Sequence, residues 1–139
     1  MHYTIEVKYI LTSFLVNPEE ITKILGIQPT KSWRKGELIP KTSLPHKTNG
    51  WLIESGLGKN AELENHLESL KHILNPAIDK IEQLPKETEA EISCVVNIYH
   101  SRSIEEEHNT PALHLDLKHI QLLNQLKAEI DYDLYVLPE

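Results

Sequence analysis

A single cysteine, Cys94, excludes an internal disulfide, so the fold must rest on its hydrophobic core. Cys94 sits in an apolar alternation with no basic neighbour in sequence to lower its pKa, which marks it as a small buried thiol rather than a nucleophile. No window approaches the roughly 18 apolar residues of a membrane helix. Met1-His-Tyr-Thr-Ile-Glu also lacks the basic start and apolar run of a signal peptide, so the expectation is a cytoplasmic protein with no membrane contact. Positive charge is scarce as well: 14 Lys and Arg stand against 21 Asp and Glu, a formal net charge of −7, which disfavours nucleic acid as a partner. Gly-x-Ser-x-Gly, His-Glu-x-x-His and a phosphate-cradling glycine loop are missing, so no catalytic residue, metal-ligand set or cofactor is assigned. The eight histidines do not change this, since His66 and His72 do not share a helix face and His100, His108, His114 and His119 fall in different elements. They read as exposed and weakly titrating.

What is present is an ordinary globular balance, 40% hydrophobic and 25% charged, in 139 residues, enough for one domain spanning 1–139 with a core of its own. Tyr3, Ile5, Val7, Tyr9 and Leu11 alternate with polar residues as in a half-buried strand, and the alternation slips at Thr12-Ser13, where a bulge or bend is expected. A second strand is expected within residues 28–34, a third at 51–55, and a flexible loop at 38–50, rich in polar residues and carrying Pro40 and Pro45. Asn60 is the expected cap of a helix with a Leu63, Leu67, Leu70, Leu74 stripe, which must kink or restart at Asn75-Pro76. Ile92, Cys94, Val96 and Ile98 mark a central strand, and Leu113, Leu115 and Leu117 a following one. Asp116 then caps a helix burying Ile120, Leu123 and Leu126, and Ile130, Tyr132, Leu134 and Val136 form the last strand. The strand, capped helix, strand order around Phe14–Trp33 echoes that around Leu113–Val136, a weak sign of internal duplication. These elements predict an α+β fold, a largely antiparallel sheet with about three helices packed on it.

The stretch from Asn17 to Glu37 is the most informative. Asn17 supplies a helix cap, Pro18 suits the first helical position, Glu20 completes a capping-box pattern, and Gly26 and Pro29 end the helix. So short a helix is marginal alone, so Ile21, Ile24 and Leu25 must press against a sheet. Ile21-Thr22, Leu25-Gly26, Pro29-Thr30, Trp33 and Lys35-Gly36-Glu37 come first in a series that continues with Gly50-Trp51, Ser93-Cys94 and Asp133-Leu134-Tyr135-Val136. In that order they resemble an uncharacterised bacterial family, domain of unknown function 4279, over nearly the whole chain. The resemblance implies a compact bacterial domain and transfers no catalytic residue.

Two surfaces are candidates for function. Trp33, Arg34 and Lys35, with Trp51, could line an aromatic and cationic pocket for a small anion, as a binding or enzymatic domain would require; the bland alternative makes both indoles core plugs. The acids cluster as Glu62, Glu64 and Glu68; Glu87, Glu89 and Glu91; Glu105, Glu106 and Glu107; and Glu129, Asp131 and Asp133. Such groups can steer a basic protein onto one face. Acidity, size and missing catalytic motifs favour a non-enzymatic interaction module, of the immunity or inhibitor kind, that covers a basic partner. Glu105, Glu106 and Glu107 are the expected contact.

Overall fold

The structure, a computed structural model, describes residues 2–100 and 110–138. The chain order is β1 (His2–Ser13), α1 (Pro18–Leu25), β2 (Lys31–Trp33), β3 (Asn49–Glu54), α2 (Leu63–Leu74), a 3₁₀ segment (Asn75–Gln83), β4 (Glu89–His100), α3 (Leu117–Leu126) and β5 (Glu129–Pro138). The strands form one sheet in the order β2-β3-β1-β4-β5. All neighbours are antiparallel except β4 and β5, which run parallel because α3 crosses over between them. The class is α+β, as the alternation of elements predicts.

Parity decides what each strand buries. Ile5, Val7, Tyr9 and Leu11 of β1 and Ile92, Cys94 and Val96 of β4 are buried, and the register sets Val7 against Cys94 and Tyr9 against Ile92. On β3 it is Trp51 and Ile53 that share this face, opposite Leu11 and Tyr9. The helices cover this one face. Leu63, Leu67, Leu70 and Leu74 of α2 are each at most 1% exposed, and each such leucine contributes about 1.5–3 kcal/mol on leaving water. They pack with Ile21 and Leu25 of α1 and Leu122 and Leu126 of α3 in a continuous core. Ser13 ends β1 where the alternation slips, its Oγ accepting from the backbone N–H of Leu15 and Val16 to make the bend.

Four expectations need correction. Asn60 does not cap α2: the N-cap position falls to Glu62, whose side chain makes no cap bond and instead accepts from the Tyr3 hydroxyl at 2.6 Å, so burial of Leu63 sets the helix start. At Asn75-Pro76 the chain keeps right-handed helical angles and α2 tightens directly into the 3₁₀ segment that begins at Asn75. Leu113, Leu115 and Leu117 are not a strand. Residues 110–116 are crossover chain outside any strand, Leu113 and Leu115 resting on the core while Leu117 opens α3, 77% exposed. On α3 the inward positions are His119, Leu122, Leu123 and Leu126, with Ile120 half exposed. The internal echo thus loses its second copy's first strand and survives as a capped helix followed by a strand: Asn17 accepts from Glu20 N–H and Asp116 from His119 N–H, both at 3.0 Å.

Candidate functional site

Among the described residues the opposite face of the sheet carries no helix. The odd residues of β4 and β5 point there, and the parallel register puts Glu91 beside Glu129, Ser93 beside Asp131 and Val95 beside Asp133. Glu89, Glu91, Glu129, Asp131 and Asp133 therefore form one acidic row across two strands, and Glu89, Glu91 and Glu129 border a cleft of about 440 Å³ with Thr12, Thr88 and Lys127. Burial, then the charges of Asp131, Asp133, Glu129 and Glu89, push the Glu91 carboxyl above the ordinary range. Among the described residues no cation makes an ion pair with these five. Nor do described His, Cys, Asp and Glu side chains gather in groups of three or more that could hold a metal ion.

The other acids behave differently. Glu62 is engaged by Tyr3, while Glu68 lies 3.0 Å from His119 Nε2 and 3.2 Å from Lys118, which reaches Glu64 at 3.7 Å. His119, 2% exposed, also has Nδ1 3.0 Å from Asp116, so its ring clamps α3 to α2. The hydrogen bond from His119, then that from Lys118, holds Glu68 below its ordinary value. Glu105, Glu106 and Glu107 lie outside the described residues.

The pocket expected around the two tryptophans is not assembled. Trp51 is fully buried on the helix face, its Nε1 donating to Thr22 Oγ1 at 3.0 Å. Trp33 pairs with Gly50 on the other face, lies against that glycine where a side chain would otherwise stand, and stacks on His46 at 4.7 Å. Alternation makes the separation unavoidable, since Trp51 and Gly50 are consecutive on β3. Arg34 is 2.8 Å from Glu19 at the start of α1, and Lys35 lies 5.8 Å from the centre of the Phe14 ring. These contacts fasten the segment after β2 to the entrance of α1. The 38–50 connection folds back on itself, with Gly36 N–H donating to His46 O, His46 N–H to Glu37 O and Ile39 N–H to Leu44 O.

One polar pair escaped sequence reading. Ser55 Oγ is 2.6 Å from His66 Nδ1, with the residues 4% and 1% exposed. A nucleophile and its base stand at such a distance, but among the described residues no carboxylate orients the ring, whose buried Nε2 meets no hydrogen-bond partner there. Burial lowers the His66 pKa, and the backbone of Ile5 and Ala61 offsets this only in part. Ser69 Oγ donates to Ser55 O, completing a tie between the end of β3 and α2. The only sequence signal was that His66 precedes Leu67 on the inward side of the leucine stripe. Contrary to the expectation of exposed histidines, His66 and His119 are both core residues.

Residues 3–137 match the family described as domain of unknown function (DUF4279). The chain belongs to this family. Neither a curated protein nor a solved structure matches it. DUF4279 membership agrees with the segments around Leu25-Gly26, Trp33 and Gly50-Trp51, whose roles here are architectural: an αL helix end at Gly26, and an indole on each side of β3. No helix among the described residues is long and apolar enough to cross a membrane.

Proposed function

We propose that this DUF4279 chain is a non-enzymatic, cytoplasmic bacterial interaction domain that binds a basic protein partner, in the manner of an immunity or inhibitor protein. The observation that carries the reading is the acidic row of Glu89, Glu91, Glu129, Asp131 and Asp133 on the helix-free face. Carboxylates crowded without a described counter-ion repel one another, which adds to burial in raising the Glu91 carboxyl, and a basic partner would relieve that repulsion. The net charge of −7 adds long-range attraction for the same class of partner. The site differs from the contact expected at Glu105–Glu107 and consists of groups distant in sequence.

The test is affinity capture from native lysate with the wild type, a Glu91→Lys, Asp131→Lys, Asp133→Lys variant, and an Arg34→Ala, Lys35→Ala control. A stoichiometric basic protein retained by the wild type and the control but lost by the charge-reversed variant is the expected result. Retention of that protein by the charge-reversed variant, or capture of no basic protein at all, overturns the reading.

A further inference from the structure

Three members of the acidic row, Glu129, Asp131 and Asp133, lie on the last strand of the sheet. Along its ten residues β5 pairs with β4, and among the described residues its other side pairs with nothing. At about 3.3 Å per residue this is a free edge roughly 33 Å long. Free edges are usually blunted by shortness, lysine, proline or a bulge. β2, the edge across the sheet, is three residues long. β5 has an unbroken register, no lysine, and proline only at its last position.

Its two halves differ. Glu129, Asp131 and Asp133 make the first half acidic on the helix-free face. In the second half Leu134 and Val136, on the helix side, are 56% and 70% exposed, and Tyr135 on the other side is 51% exposed. The helix layer therefore stops short of this end of the sheet.

We propose that the free edge of β5 takes up an extended basic segment of a partner protein as a sixth strand. This deepens the basic-partner reading and rests on it. Main-chain hydrogen bonding to an edge supplies affinity without regard to sequence, and alternate side chains supply specificity. Directly opposed residues on antiparallel strands share a face. An incoming antiparallel strand thus places apolar side chains opposite Val136 and Leu134, then Lys or Arg opposite Asp133, Asp131 and Glu129. The pattern is apolar, any, apolar, basic, any, basic, any, basic. Charge decides against a second copy of this chain as occupant, because antiparallel overlap of two β5 strands centred on Asp133 sets the two Asp133 carboxylates directly opposite, with Asp131 diagonal to each, at a net −7 for each copy.

The probe is a synthetic peptide of about eight residues with this pattern, beside the same peptide N-methylated at alternate residues along each edge in turn, which keeps every charge and blocks pairing on one side. Binding to the full chain is followed by amide chemical shifts up to about 1 mM peptide. The expected result is shifts centred on residues 129–138, at least a tenfold loss on methylating the pairing edge, and weakening between about 0.05 and 0.5 M salt. Equal binding by all the peptides overturns strand addition and leaves a purely electrostatic contact, so the basic-partner reading survives. Absence of shifts in β5 overturns the inference, while that reading continues to rest on the capture experiment. A wild-type dimer by light scattering, with β5 amides protected from exchange, also overturns it by assigning the edge to a second copy.

Discussion

Replacing Gly50 with alanine tests the packing of the helix-free face directly. Gly50 sits between Trp33 of β2 and Thr12 of β1, and a Cβ built there would lie 2.0 Å from Trp33 Cε2 and Cζ2 and 2.6 Å from Nε1. Carbon contacts settle near 3.5–4.0 Å, so the indole must retreat by about 1.5 Å or more. His46 is stacked against that ring at 4.7 Å, so retreat disturbs the aromatic pair as well. Overpacking costs about 1–3 kcal/mol and the stack is worth about 0.5–1.5 kcal/mol, against a gain of about 0.5–1 kcal/mol from replacing glycine within a strand. Gly50→Ala should therefore lose about 1–3 kcal/mol. In a Trp33→Ala background the clash has no partner and the same change should gain about 0.5–1 kcal/mol, a coupling of roughly 1.5–4 kcal/mol. Urea unfolding followed by circular dichroism would show the midpoint of the single variant lowered by about 0.5–1.5 M. An equal cost of Gly50→Ala with and without Trp33 would refute the contact as the cause.

Four further outcomes follow from named contacts. His66 is held neutral by burial, so the unfolded chain takes up the proton first; stability is complete above the ordinary histidine value and falls as pH drops below about 6.5, by up to about 1.4 kcal/mol per unit. His66→Gln should flatten that slope in urea titrations between about pH 5 and 7, and an unchanged slope would assign it elsewhere. Cys94, fully buried with its thiol pushed up to about 11, should resist a disulfide reagent at about pH 8 until urea unfolds the chain; fast native labelling would contradict its burial. Asn17→Ala removes the acceptor for Glu20 N–H and should cost about 1 kcal/mol by thermal unfolding, with no effect if the cap is replaced by water. Asp131→Asn with Asp133→Asn should increase self-association by light scattering, because it removes charge from the open edge of β5; an unchanged monomer fraction would show that these acids do not guard it.

Local signals were legible wherever one short segment sufficed to decide the structure. Asn17, Pro18 and Gly26 fix α1 through backbone geometry within ten residues. The period of two in β1 and β4 needs only a buried face. Asn60 misled because capping chemistry is permissive, whereas burial of Leu63 and the Tyr3 to Glu62 bond decide the start of α2. Leu113 to Leu117 misled for a related reason: alternation reports an extended segment with one side on the core, and does not report whether a strand edge is free to receive it. The Trp33 and Trp51 pair required a register, because only the pairing of Trp33 with Gly50 puts the two rings on opposite faces. Ser55 and His66 required the end of β3 to be placed on α2, a contact with no motif of its own.

The acidic row shows the same dependence on register and explains something about the edge. Glu87, Glu89 and Glu91 on one side and Glu129, Asp131 and Asp133 on the other are separate in sequence, and each group alone passes for ordinary solvated surface. Parallel pairing of β4 with β5 brings Glu89 and Glu91 together with Glu129, Asp131 and Asp133 in a shared surface, on which burial and then the neighbouring charges make Glu91 harder to ionise. That arrangement costs stability, yet it occupies the one long strand whose outer edge is unpaired among the described residues and whose second half exposes Leu134, Tyr135 and Val136. An uncharged strand of this length and apolar content would pair readily with its own kind. Negative charge at its first half opposes pairing with an acidic copy and favours pairing with a basic strand, so the same carboxylates that destabilise the isolated chain discriminate between the two.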